Sequence, residues 1–113
     1  MAESPRLADV LPGLAERLAE ALREQARPYL ANQVADLRIE IACGCEEERC
    51  GSFYTTKRPM QRWLRRGESV PVEADLPGEV TIDVVGGSIV YVEVLFWEGV
   101  RDAIRRAAPR LAR

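Results

Sequence analysis

The chain has 113 residues, a formal net charge of −2 at pH 7, and 47% apolar against 30% charged residues. That size suits one domain over residues 1–113 with a core of its own, the composition is that of a folded rather than a disordered chain, and the near-balanced charge gives no strong field to attract nucleic acid. No run of about 20 apolar residues is present to span a bilayer, and Met1-Ala2-Glu3-Ser4-Pro5 lacks the basic-then-apolar pattern of a secretory signal.

Histidine is absent, and Lys57 is the single lysine beside fifteen arginines. That bias is the mark of a GC-rich coding sequence, and with the missing signal it points to a cytoplasmic bacterial protein.

Ser4-Pro5 opens a helix, with proline at a position whose N–H needs no partner. Leu7, Leu11, Leu14, Leu18 and Ala21 then recur every three or four residues, as an apolar stripe on one helix face. Pro12-Gly13 divides that helix into a short first piece and a longer second one from about residue 13, and Pro28 ends or kinks it. Glu20 with Arg23, and Glu24 with Arg27, have the spacing of surface ion pairs.

Leu37 to Ala42 alternates as a first strand, apolar at odd positions, and Ser52 to Thr56 forms a second. A four-residue loop Glu46–Arg49 sets Cys45 opposite Cys50 and Ile41 opposite Tyr54. Arg38, Glu40, Phe53, Thr55 and Lys57 then go to the polar face. Residues 59–67 read as a short helix, opened by Pro59 and closed by Gly67. Val70-Pro71-Val72-Glu73 is at best an edge segment, because proline cannot donate to a ladder.

The clearest pattern is Val80 to Leu95. Val80, Ile82 and Val84 alternate with Thr81 and Asp83, and Val90, Val92 and Val94 with Tyr91 and Glu93. A two-residue loop Gly86-Gly87 would set Val80 opposite Glu93. A three-residue loop ending at Ser88 pairs Val84 with Val90, Ile82 with Val92 and Val80 with Val94, which keeps the aliphatic side chains on one face. Trp97, Val100, Ile104 and Ala107-Ala108 then have helical spacing, closed by Pro109. The expected architecture is α+β, in the order α-β-β-α-β-β-α. It has a four-stranded antiparallel sheet of two hairpins, with the N- and C-terminal helices packed on one face.

Three constellations carry possible function. The polar sheet face presents Arg38, Glu40, Phe53, Asp83, Tyr91 and Glu93. That mixture of charge and aromatics suits a protein partner or a second copy of the chain in a homodimer, and its plain alternative is an ordinary solvated sheet face. The segment Lys57, Arg58, Arg62, Arg65 and Arg66 holds no acid and includes Trp63, a composition suited to phosphate contact and base stacking. Cys43, Cys45 and Cys50 would gather at one end of the first hairpin. Three readings are open for them: a zinc site short of one ligand, a Cys45–Cys50 disulfide or redox pair, or small thiols packed under a turn.

Catalysis without histidine would fall to Glu40, Asp83, Glu93 or a thiolate, and no nucleophile–base pair stands out. Gly86-Gly87 is a turn rather than a phosphate-binding fingerprint. The sequence therefore points to a non-enzymatic protein that acts by binding another protein or itself. Nucleic-acid or anion binding is the first alternative, and thiol or zinc chemistry the second.

Overall fold

A computed structural model describes residues 3–57 and 67–110. The fold is α+β, with one antiparallel sheet in the order β1-β2-β5-β4-β3. The strands are β1 (Ile41–Ala42), β2 (Phe53–Tyr54), β3 (Glu68–Pro71), β4 (Glu79–Val85) and β5 (Ser88–Leu95). The helices are α1 (Leu7–Val10), α2 (Pro12–Glu24), α3 (Pro28–Ala31) and α4 (Val100–Ala107), with a 3-10 turn at Val34–Asp36. Among the described residues, no helix is long and apolar enough to cross a membrane. The short helix expected over residues 59–67 falls, but for Gly67, outside the described residues.

The sheet has five strands where four were expected. The fifth is the Val70-Pro71 segment, which pairs with β4 through Val70↔Ile82 and Pro71↔Thr81. Proline is tolerated because β3 is an edge strand, where one side of the backbone has no ladder to complete. Val72 N–H continues the pairing by donating to Val80 at 2.9 Å.

The helical break falls where Pro12 predicts it, with α1 ending at Val10 and α2 starting at Pro12. Leu7, Leu14, Leu18, Ala21 and Leu22 face the core. Arg27 does not pair with Glu24. It reaches across to Glu68 on β3 at 3.3 Å, and that carboxylate raises the guanidinium pKa. Two glutamines tie the helical layer to strand ends. Gln33 bonds Gly87 O at 2.7 Å and Ile89 N–H at 2.9 Å. Gln25 bonds Pro71 O at 3.1 Å and Glu73 N–H at 2.7 Å. Each side-chain amide stands in for a peptide group, satisfying a donor and an acceptor that the ladder leaves open.

The β4–β5 hairpin keeps the expected pairs Val80↔Val94, Ile82↔Val92 and Asp83↔Tyr91, but its turn differs. Val85 pairs with Ser88 around a two-residue Gly86-Gly87 turn, and Val84 faces Ile89 instead of Val90. Both glycines have positive φ, +58° and +82°, the requirement of the tight turn that matches strand twist. The odd residue is absorbed one step later, as a bulge at Val90. A bulge restores the facing that a two-residue turn alone would have inverted.

A second bulge corrects the first hairpin. Ile41↔Tyr54 is paired as expected. However, Glu40 N–H donates to Tyr54 O and Cys43 N–H donates to Ser52 O, so residues 40 to 43 on one strand span only 54 to 52 on the other. The extra residue inverts the alternation. Leu37 and Ile39 are buried as expected, but Ala42 rather than Ile41 continues the core face. Phe53, expected on the polar face, is 0% exposed. It lies between Ala42 and Val92 in a row that continues through Ile82 to Val70. The opposite face carries Ile41, Tyr54, Tyr91, Asp83 and Ser69. The expected long first strand is also shortened. Leu37 and Ile39 bond the N-terminal segment instead, with Leu7 N–H on Leu37 O and Ile39 N–H on Pro5 O.

Candidate metal centre

The loop between β1 and β2 brings the three cysteines together. The Sγ atoms of Cys43, Cys45 and Cys50 all lie within 4.8 Å of one another. All three are free thiols, Cys50 buried and the other two half-buried. Three thiolates on one tetrahedral or trigonal ion with metal–sulfur bonds near 2.3 Å would lie about 3.8 to 4.0 Å apart. The triad is therefore within a small side-chain adjustment of a shared ion. A disulfide uses two sulfurs at about 2.0 Å and leaves the third over.

Each cysteine is held by the fold. Cys50 pairs with Leu95 of β5 and donates its N–H to Glu47 O at 3.2 Å. The next residue, Gly51, is pressed against α4. A Cβ there would stand 2.6 Å from Val100 Cγ1 and 2.9 Å from Arg101 N, so only glycine fits. Cys43 is fixed by its N–H on Ser52 O at 3.0 Å. Arg105, from the last turn of α4, donates to Cys45 O at 2.5 Å and to Cys43 O at 3.4 Å. One guanidinium thus grips the carbonyls of both arms of the C-x-C turn. The loop tip is anchored too, with Phe96 N–H on Arg49 O at 3.0 Å and the Arg49 guanidinium 5.3 Å from the Phe96 ring centre.

Hydroxyl groups surround the thiols. Among the described residues, Ser52 is the one buried polar residue, 1% exposed. Its oxygen accepts Val94 N–H at 2.9 Å and lies 3.2 Å from Cys50 Sγ. A hydroxyl both donates and accepts, so this contact serves the thiol, with Cys50 donating, and equally the thiolate, with Ser52 donating. The Tyr91 phenol meets Ser52 and Cys43, and its ring packs on Tyr54 at 4.6 Å between centroids. Burial pushes the Tyr91 pKa far above the ordinary phenol value, the Ser52 hydroxyl pulls the other way, and Cys43 adds to the rise. Burial also raises Tyr54, with smaller contributions from Cys43 and Asp83. Tyr91 therefore stands beside the sulfurs as a neutral donor.

The polar-face candidates are placed in three ways, at the N-terminal segment, on the outer sheet face and in the core. Arg38 bonds Ser4 O and pairs with Glu3 at 3.4 Å, and Glu40 bonds the Ser4 hydroxyl. Both hold down the N-terminal segment. Asp83 accepts from Ser69 Oγ at 2.8 Å. Tyr91 turns toward the thiols, Glu93 is half-buried on the same face, and Phe53 belongs to the core. Of the basic segment, Lys57 is exposed, while Arg58, Arg62, Arg65 and Arg66 lie outside the described residues.

Sequence reading found the cysteines but missed Ser52, Gly51 and Arg105, the residues that position them. A serine between Gly51 and Phe53, at the start of the expected second strand, was the available signal for the first. Arg105 stands in the last turn of α4, where a cation suits the helix dipole, and that position carries no hint of the cysteines. No protein-family model matches the chain, and comparison with curated proteins and with solved structures returns no match.

Proposed function

We propose that the protein binds a thiophilic metal ion through the thiolates of Cys43, Cys45 and Cys50. The observation that carries this reading is the mutual approach of three sulfurs from a C-x-C-x₄-C segment to within 4.8 Å. Softness supports it, because an all-sulfur donor set selects zinc, monovalent copper and related ions over magnesium or calcium. So does the surrounding shell. Ser52 and Tyr91 offer hydroxyl donors to thiolate sulfur, and Arg105 offsets its charge, the outer contacts that tune metal sites.

The test is metal analysis of protein purified without chelator, with thiols counted before and after chelation. About one metal per chain is expected, with three thiols shielded from alkylation until the metal is stripped. A metal-free protein in which two of the three thiols have oxidised to a disulfide would replace this reading with thiol-redox chemistry.

A second reading keeps the sheet face opposite the helices as a contact surface for a protein partner or a second copy. It is supported by the stacked, half-buried pair Tyr54 and Tyr91 on that face, since aromatics are enriched where proteins meet. Light scattering across a concentration series tests self-association. A strict monomer whose tyrosines are unaffected by candidate partners would remove this reading and leave the metal site untouched.

A further inference from the structure

We infer that this site is three-coordinate, completed by no other side chain of the chain, and that its ion is monovalent copper. The inference rests on the metal-binding reading and names the ion class it takes. Donor supply is the first argument. A closed structural zinc site needs four protein ligands. The chain has no histidine and only these cysteines. Among the described residues, no carboxylate joins the sulfur group. Residues 1–2, 58–66 and 111–113 contain no Cys, Asp or Glu, so their side chains add no thiolate or carboxylate. Glu47, the middle acid of the loop, is turned back on its own turn, accepting Arg49 N–H at 3.2 Å. Three thiolates are what one chain provides, and its two thioethers, Met1 and Met60, lie outside the described residues.

Geometry and softness give the second argument. A d10 ion without a strong demand for a fourth ligand sits in the plane of three thiolates, and monovalent copper is the soft member of that class that sulfur selects. A triangle with sides under 4.8 Å receives such an ion with little movement. Zinc in the same triangle must draw a water, a small thiol or a second chain into its fourth position. Binding is not a redox step: Cu(I) displaces the protons of three thiols, forming three Cu–S bonds and breaking three S–H bonds, with no electron transferred. Arg105, fixed on the carbonyls of Cys43 and Cys45, partly offsets the negative charge that results.

Reduced full-length protein is titrated anaerobically with Cu(I) and, separately, with Zn(II), each against a chelator of known affinity. X-ray absorption and light scattering are then recorded on both loaded forms. One Cu(I) per chain is expected, with three sulfur neighbours, no fourth ligand and a monomeric mass. C43S and C45S should each lose the three-sulfur signature. R105A should keep that signature while Cu(I) affinity falls by roughly 10- to 100-fold, with circular dichroism verifying its fold. Tight four-coordinate zinc, with the fourth ligand from water or from a second chain on dimerisation, together with weaker Cu(I) binding, overturns this inference and leaves the metal-binding reading standing. If the fully reduced protein takes up neither ion, both fall.

Discussion

The two hairpins of the sheet are built on opposite terms. β4–β5 uses long alternating runs of β-branched residues, and its buried side chains make a continuous face from Val80 to Val94. β1–β2 has two paired residues per strand, and its loop carries three cysteines, Gly51 and Ser52. The first hairpin to form in sequence therefore contributes little ladder of its own. It is held by borrowed contacts: β5 beside β2, Arg105 on its carbonyls, and α4 against Gly51. The difference separates two jobs. One hairpin supplies the burial that keeps the domain folded, and the other spends its residues on bringing sulfur together.

The sharpest way to break that comparison is to damage each hairpin in turn. Replacing Cys43 or Cys45 by serine should abolish stoichiometric metal binding while moving the metal-free unfolding midpoint by no more than about 1 kcal/mol, as for other half-buried sites outside the core. Ile82→Ala, in the central strand and 0% exposed, should cost about 2–5 kcal/mol. Denaturant melts and metal titrations on the same variants check both. Large destabilisation from C45S, or metal loss from I82A in a still-folded protein, would dissolve the division of labour.

Phe53 and Gly51 sharpen it, because they are the places where the weak hairpin enters the core. Phe53→Ala removes a fully buried ring beside Val92 and should cost about 3–5 kcal/mol. Gly51→Ala forces a methyl against Val100 and the backbone of Arg101, and overpacking of that kind costs about 1–3 kcal/mol. If α4 is displaced rather than the domain unfolded, G51A should also weaken metal binding, since Arg105 rides on that helix. Parallel melts and titrations would show whether the two losses go together.

These same two residues mark the limit of what the sequence discloses. The β4–β5 hairpin was legible because period-two alternation and a Gly-Gly turn both act locally. Its bulge at Val90 was not, since turn geometry and facing had to be reconciled by an extra residue that no local preference announces. In β1–β2 the Ile41–Tyr54 pairing was legible from loop length. The facing was not, because one bulge near Ile41 exchanged Ile41 for Ala42 and carried Phe53 inward. The cysteine cluster survived that error because it depends on loop closure rather than on facing. Arg105 was beyond reach: it lies 60 residues from Cys45, and only the packing of α4 brings its guanidinium to that carbonyl.

The smallest effect, and the one that reports directly on the thiol pocket, is alkaline. Burial raises the pKa of both Tyr91 and Tyr54 above the ordinary phenol value near 10. In the folded protein these phenols keep their protons after the same phenols in the unfolded chain have lost them. Between the unfolded and the raised folded pKa the native state therefore binds more protons, and stability must fall as pH rises. Below about pH 10 the contribution is fully present, and above it the contribution is progressively lost. Tyr91→Phe should flatten that alkaline decline. It should also remove one hydroxyl from beside Cys43, weakening metal affinity modestly while sparing the Ser52 contact to Cys50. Unfolding midpoints measured from pH 8 to 11, with tyrosinate absorbance followed in parallel, supply the check. An unchanged alkaline slope in Y91F would mean that the phenol is solvated, and the hydroxyl shell assigned to the sulfurs would shrink to Ser52 alone.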